Sequence, residues 1–158
     1  GKGDVAILDG IPVVPILERV RGCKDALKKY PDIKIVTTQN GKQQRDQALT
    51  VTENMIQANP RLVGIFSVND GGAMGALAAI DASGKDIKLV SVDGAPEAIK
   101  AMQKPNSKFI ATSAQFPRDQ IRIAIGIALA KKWGANVPES IPVEVKLIDK
   151  EGAKTFAW

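Results

Sequence analysis

Histidine is missing from this 158-residue chain and cysteine occurs once, at Cys23. A lone thiol has no partner for an internal disulfide, and without imidazole neither a Cys/His zinc site nor a histidine-dependent catalytic triad can be assembled. Aromatic residues make up only 4% of the chain. No apolar run approaches the roughly 20 residues of a membrane-spanning helix, and Gly1-Lys2-Gly3-Asp4 has no charged-then-apolar leader layout. The apolar run Val5 to Leu8 follows almost at once, which reads as a fragment whose amino-terminal part, where a leader could stand, is missing. A glycine-rich phosphate loop is also missing, since the first strand leads into Gly10-Ile11-Pro12. Asp9 stands nearly alone there, whereas a phosphoacceptor site needs clustered carboxylates. Nucleotide-dependent and phosphoacceptor catalysis are therefore disfavoured.

What remains is ordinary for one globular domain: 44% hydrophobic and 25% charged residues. The net charge of +5 would suit a nucleic-acid partner if it gathered on one face. Instead Lys28, Lys29, Lys85, Lys88, Lys100, Lys104, Lys131 and Lys132 fall mostly near predicted helix ends, where cations favour the helix dipole. Such dispersion describes a solvated surface, and no nucleic acid is expected.

Short apolar runs rich in branched residues alternate with stretches of helical period, punctuated by Gly, Pro or Asn. The pattern predicts strands at Val5 to Leu8, Ile33 to Thr37, Val63 to Ser67, Lys88 to Val92, Phe109 to Ser113 and Val143 to Ile148. Helices are predicted at Val14 to Lys29, Gln43 to Ala58, Gly71 to Ala82, Pro96 to Gln103 and Arg118 to Trp133. Asn69 or Asp70 would cap the third helix, Pro96 suits a first turn, and Gly84 and Gly134 suit left-handed helix ends. The near-continuous apolar run Val63-Gly64-Ile65-Phe66 implies burial on both sheet faces. The expected fold class is α/β: a doubly wound parallel sheet in a three-layer α/β/α sandwich, flavodoxin-like, with strand order two-one-three-four-five. Gly71-Gly72 reads as a small-residue step that permits close packing.

In such sheets ligands bind beyond the carboxyl ends of the strands. The residues predicted to lie there are polar: Gln39, Asn40 and Gln43 after the second strand, Asn69 and Asp70 after the third, Asp93 after the fourth and Gln115 after the fifth. Glu18, Arg19 and Arg21 lie in the helix that follows the first strand. Planar amide, carboxylate and guanidinium groups can engage adjacent hydroxyls in pairs, and none of these side chains is a strong nucleophile. Each has a purely structural alternative, as a cap, turn or surface partner. Their convergence on one edge favours a polyhydroxylated ligand.

The segments Arg19-Val20-Arg21-Gly22, Val68-Asn69-Asp70 with Ala73-Met74-Gly75-Ala76-Leu77, Val92-Asp93-Gly94, Ala114-Gln115-Phe116-Pro117 and Ile141-Pro142-Val143-Glu144-Val145 occur in an order and spacing that resemble the ribose-type periplasmic sugar-binding proteins. These share a two-lobed fold with the effector domains of LacI-like repressors. The resemblance implies that Arg19, Asn69, Asp93 and Gln115 bind a sugar or polyol from the second lobe, without cofactor or metal. Gln43 stands where many relatives stack an aromatic ring on the sugar, and Cys23 where they carry another aromatic. The resemblance further implies that residues 1–115 form the second, carboxyl-terminal lobe, lacking its first helix. Residues 116–140 would be the hinge-following helix and linker toward a missing first lobe, and residues 141–158 the crossing strand and tail. A periplasmic or membrane-anchored receptor that feeds an ABC-transporter permease is the function implied; a repressor's effector domain is the alternative. The chain alone is expected to fold but bind sugar weakly. Its helix Arg118 to Trp133 would dock on the face left bare or exchange with a neighbouring copy, because Ile121, Ile125, Ala128 and Leu129 form an apolar stripe.

Overall fold

The computed structural model describes residues 1–157. Six strands form one sheet: β1 (Gly3–Asp9), β2 (Ile33–Asn40), β3 (Leu62–Ser67), β4 (Lys88–Asp93), β5 (Phe109–Ala114) and β6 (Lys146–Asp149). The connecting helices are α1 (Val14–Leu27), α2 (Arg45–Ala58), α3 (Asp70–Ser83), α4 (Pro96–Gln103) and α5 (Pro117–Lys132), and a short 3-10 turn spans Gly152–Lys154. The strand order is β2-β1-β3-β4-β5-β6, parallel throughout except for β6, which runs antiparallel to β5. Most predicted boundaries fall within two residues of those observed. Two errors are larger: β2 continues through Asn40, and β6 starts only at Lys146.

The order explains how the helices divide. The β1 to β2 crossover moves one way across the sheet and the next three move the other way, so right-handed connections put α1 on one face and α2, α3 and α4 on the opposite one. Alternation along β1 matches this. Ala6 and Leu8 join the large core with Ala48, Met55, Ala76, Ile80 and Met102, whereas Ile7 packs with Ile16, Val20 and Val68 beneath α1.

The α2–α3 contact is built on small residues. A Cβ placed on Gly75 would lie 2.1 Å from the Arg45 carbonyl oxygen, so α3 meets the first turn of α2 backbone to backbone. The contact between the two helices thus belongs to Gly75, while the close packing expected of Gly71-Gly72 is against Asn69 and Ser67 at the start of α3. Gly71 is exposed, and a Cβ on Gly72 would sit 2.9 Å from the capping oxygen of Asn69.

The α1 face is less complete than the apolar strands suggested. Val63 is 44% exposed, and an apolar hollow of about 350 Å³, bordered by Val5, Cys23, Leu27, Phe66, Val90 and Ile110, opens beside α1. Burial on both faces therefore fails for β3, because one helix cannot cover five strands. A fifth helix of a doubly wound fold would return to this face, but α5 does not: none of its residues is buried, and Ile121 and Ile125 stay more than half exposed. Docking of that helix on its own sheet is thereby corrected. The chain turns away at Phe116, whose ring is held 6.5 Å from that of Phe156, and α5 leaves from that anchor. The segment after α5 folds along it instead, with Pro138, Ile141 and Val143 facing Ile123 and Ile127.

Cys23 borders this hollow and packs against the Ile7 cluster, as a core residue would. Burial pushes its thiol up to about 11. Since the thiolate is the reactive form, alkylation by iodoacetamide at pH 7.5 is expected to be about a hundredfold slower than that of a cysteine in an unfolded peptide. Mass-spectrometric labelling rates equal to the peptide's would show that the thiol is not held in the apolar packing.

Candidate functional site

The carboxyl ends of β1, β2, β3, β4 and β5 meet along one edge, and all five residues singled out for a ligand stand there, each half-buried. Arg19 reaches across from α1. Its Nη1 donates to the Val68 carbonyl at 2.7 Å and lies 3.1 Å from Asp93 Oδ1. Gln115 Nε2 donates to the same Asp93 oxygen at 3.3 Å, and the Asp70 amide donates to the other at 3.4 Å. Arg19, Asp93 and Gln115 thus form one polar group held from an α1 side chain and two adjacent strand ends.

Asp93 sits in an unusual backbone conformation, with φ of 132°, followed by Gly94 at 77°. A non-glycine residue in that region costs on the order of 1–3 kcal/mol and persists only where its surroundings over-determine it. Glycine is needed next, because any Cβ at Gly94 would lie 2.5 Å from that of Ala114. At this bend the Asp93 carboxylate lies against the Arg19 guanidinium.

Asn69 caps α3, its Oδ1 accepting from the Gly72 amide at 3.1 Å. Its Nδ2 lies 3.5 Å from the Gln43 carbonyl. The structural role considered for Asn69 is therefore real, and it stands at the site edge as well.

Gln43 behaves differently from the expectation. It lies ahead of α2, not inside it, in a left-handed conformation with φ of 60°. Its side chain folds over Gly10 and accepts from the Ile11 amide at 3.3 Å, which ties the loop after β2 to the loop after β1. Asn40 reinforces the same junction, donating to the Gly10 carbonyl at 2.7 Å and accepting from the Lys42 amide at 2.7 Å. Glu18 and Arg21 pair with each other on the exposed side of α1, away from this group.

One network was not foreseen. Asp70, read from sequence as a cap, is 1% exposed, and its carboxylate accepts from Ser91 Oγ, from Thr112 Oγ1 at 2.8 Å and from the Ala95 amide at 2.7 Å. Burial pushes its pKa above the usual carboxylate range, although the three hydrogen bonds pull the other way. Ser91 and Thr112 are hydroxyl residues inside apolar strands, and that mismatch was the one sequence signal for them.

A family model for the periplasmic binding protein domain matches residues 1–134. The chain belongs to that family. This periplasmic binding protein domain is 35% identical over 148 residues to the ribose import binding protein of Bacillus subtilis, a match covering 93% of this chain and 48% of that protein. It is 36% identical over 151 residues to the D-allose-binding periplasmic protein of Escherichia coli, with the same coverages. A crystal structure of an ABC transporter periplasmic solute binding protein from Actinobacillus succinogenes with bound D-allose superposes with a TM-score of 0.93 at 39% identity, covering 98% of this chain and 56% of that one. The chain spans about half the length of the curated relatives it matches.

Proposed function

We propose that this domain is the sugar-binding lobe of the substrate-binding component of an ABC-type uptake system, a non-catalytic receptor that closes with a second lobe on a monosaccharide or polyol. The observation that carries the reading is the Arg19–Asp93–Gln115 cluster at the carboxyl edge of the sheet, in a chain related to ribose- and D-allose-binding proteins. Vicinal hydroxyls donate to a carboxylate and accept from guanidinium and amide groups, so this set can engage adjacent hydroxyls in pairs. Asn69 extends the row. Gln43, latched to Ile11, would contribute by shaping the rim.

Residues 1–115 would form the second lobe, residues 116–140 would belong to the first, and residues 141–158 would return to the second. Two features support that division. No residue of helix α5 is fully buried in this chain, whereas β6 pairs with β5 and the Ala153 carbonyl accepts from Gln103 Nε2 at 2.6 Å. The exposed stripe of α5 would then be covered by the first lobe, and in its absence would favour self-association of the isolated chain. Enclosure by two lobes excludes water from the hydrogen bonds, which one open edge cannot do. Delivery to a membrane permease and an extracytoplasmic location follow from the same reading. The relatives' names as import and periplasmic binding proteins favour it over a repressor's effector domain.

Calorimetry of the full-length receptor against D-ribose, D-allose, D-galactose and xylitol tests the proposal. Saturable one-to-one binding of at least one of these by the receptor, with little or none by residues 1–158 alone, is the expected result. Tight binding by the chain alone would refute the two-lobe reading.

A further inference from the structure

We propose that Asp70 is a positioning residue of the sugar site, whose buried carboxylate immobilises the Asp93-Gly94-Ala95 corner and so sets the direction in which Asp93 is presented. This rests on the sugar-site reading above. The corner needs such a hold, because φ is positive at both Asp93 and Gly94, and the ladder with β5 engages the Asp93 carbonyl, which accepts from the Gln115 amide at 3.0 Å, but not the Gly94 and Ala95 amides. Both amides that follow Asp93 are secured by one group of side chains. The Ala95 N–H donates directly to Asp70 Oδ2 at 2.7 Å. The Gly94 N–H donates to Thr112 Oγ1 at 3.2 Å, and that hydroxyl donates to Asp70 Oδ1. Ser91, on the strand that ends at Asp93, donates to the same oxygen.

Capping does not explain this carboxylate. Asp70 is the first residue of α3, but its oxygens turn to β4, β5 and the corner, while Asn69 caps the helix. A buried carboxylate is costly, and here it recruits partners from two strand ends and a loop that no single local hydrogen bond could join. Asparagine matches its shape but not its acceptors. In one orientation its amide would oppose the Ala95 N–H, and in the other it gives up the oxygen that Ser91 and Thr112 share.

The test uses full-length receptor carrying Asp70→Asn, Thr112→Val or Thr112→Ser, and Asp70→Asn combined with Asp93→Ala. Affinity for D-ribose, D-allose, D-galactose and xylitol is measured well below each variant's melting temperature, together with amide exchange at Gly94 and Ala95 in unliganded protein. Asp70→Asn and Thr112→Val are expected to weaken binding by about ten- to a hundredfold and to speed exchange at the corner, with Thr112→Ser close to wild type. In the Asp93→Ala background, Asp70→Asn is expected to change affinity less than about threefold, because no carboxylate is left to orient. Unchanged affinity with only a lower melting temperature would overturn the proposal, as would effects of Asp70 and Asp93 that simply multiply. If Asp93→Ala leaves binding intact, the sugar-site reading itself falls; if Asp93→Ala weakens binding but Asp70→Asn does not, only the positioning role falls. Should Asp70→Asn fail to fold, the Thr112→Val and Thr112→Ser pair decides by the same criteria.

Discussion

Gly75→Ala is expected to destabilise the lobe by about 3 kcal/mol, read as a lower urea midpoint at unchanged slope. Intrinsic propensity points the other way, since alanine in a helix interior is better than glycine by roughly 1 kcal/mol. Packing decides the sign. The added methyl would sit 2.1 Å from the Arg45 carbonyl oxygen and 2.9 Å from the Leu49 nitrogen, both backbone atoms that cannot rotate away. Relief therefore requires α2 and α3 to separate, which would loosen Ala48, Met55, Ala76 and Ala79 together in the larger core. Ala78→Gly, on the exposed side of the same helix, should cost only about 1 kcal/mol and shows what propensity alone is worth. A Gly75→Ala variant as stable as the parent would mean that the two helices are not in backbone contact.

Asp93→Ala in the full-length receptor is expected to weaken sugar binding by about 1–3 kcal/mol, roughly five- to 150-fold, measured by calorimetry. Asp93 is the hub of the edge: Arg19, Gln115 and the Asp70 amide all converge on its two oxygens. Its removal deprives sugar hydroxyls of an acceptor and leaves the Arg19 guanidinium only the Val68 carbonyl among these partners. Asp93→Asn, which keeps the side chain's size at the same strained position, separates loss of charge from loss of the side chain and should fall between wild type and Asp93→Ala. Lys100→Ala, on the exposed side of α4, should change affinity by no more than a few tenths of a kcal/mol. Equal affinities for Asp93→Ala and Lys100→Ala would remove Asp93 from the site.

Element type, order and most boundaries were legible in the chain because they are local: runs such as Phe109 to Ser113 and the Pro96 helix start carry period and capping within a few residues. The candidate site was legible for a related reason. The carboxyl edge of a doubly wound sheet collects whatever follows each strand, so Arg19, Asn69, Asp93 and Gln115 could be gathered from topology before any distance was known. Family resemblance pointed to the same positions.

Tertiary structure decided the rest, because the deciding contacts join residues far apart in sequence. Nothing near Asp70 shows that its carboxylate turns away from its own helix toward Ser91 and Thr112, which lie 21 and 42 residues further along the chain. Gly75 and Arg45 are likewise brought together by helix packing and not by any local pattern. The apolar stripe of α5 was visible in the sequence, but periodicity marks a face that needs covering without naming what covers it. The turn at Phe116 carried that helix off the sheet. Sequence alone thus determined the doubly wound fold and the edge on which its polar residues gather; packing of distant polar groups and backbones determined how Asp93 is held there and which apolar faces stay open.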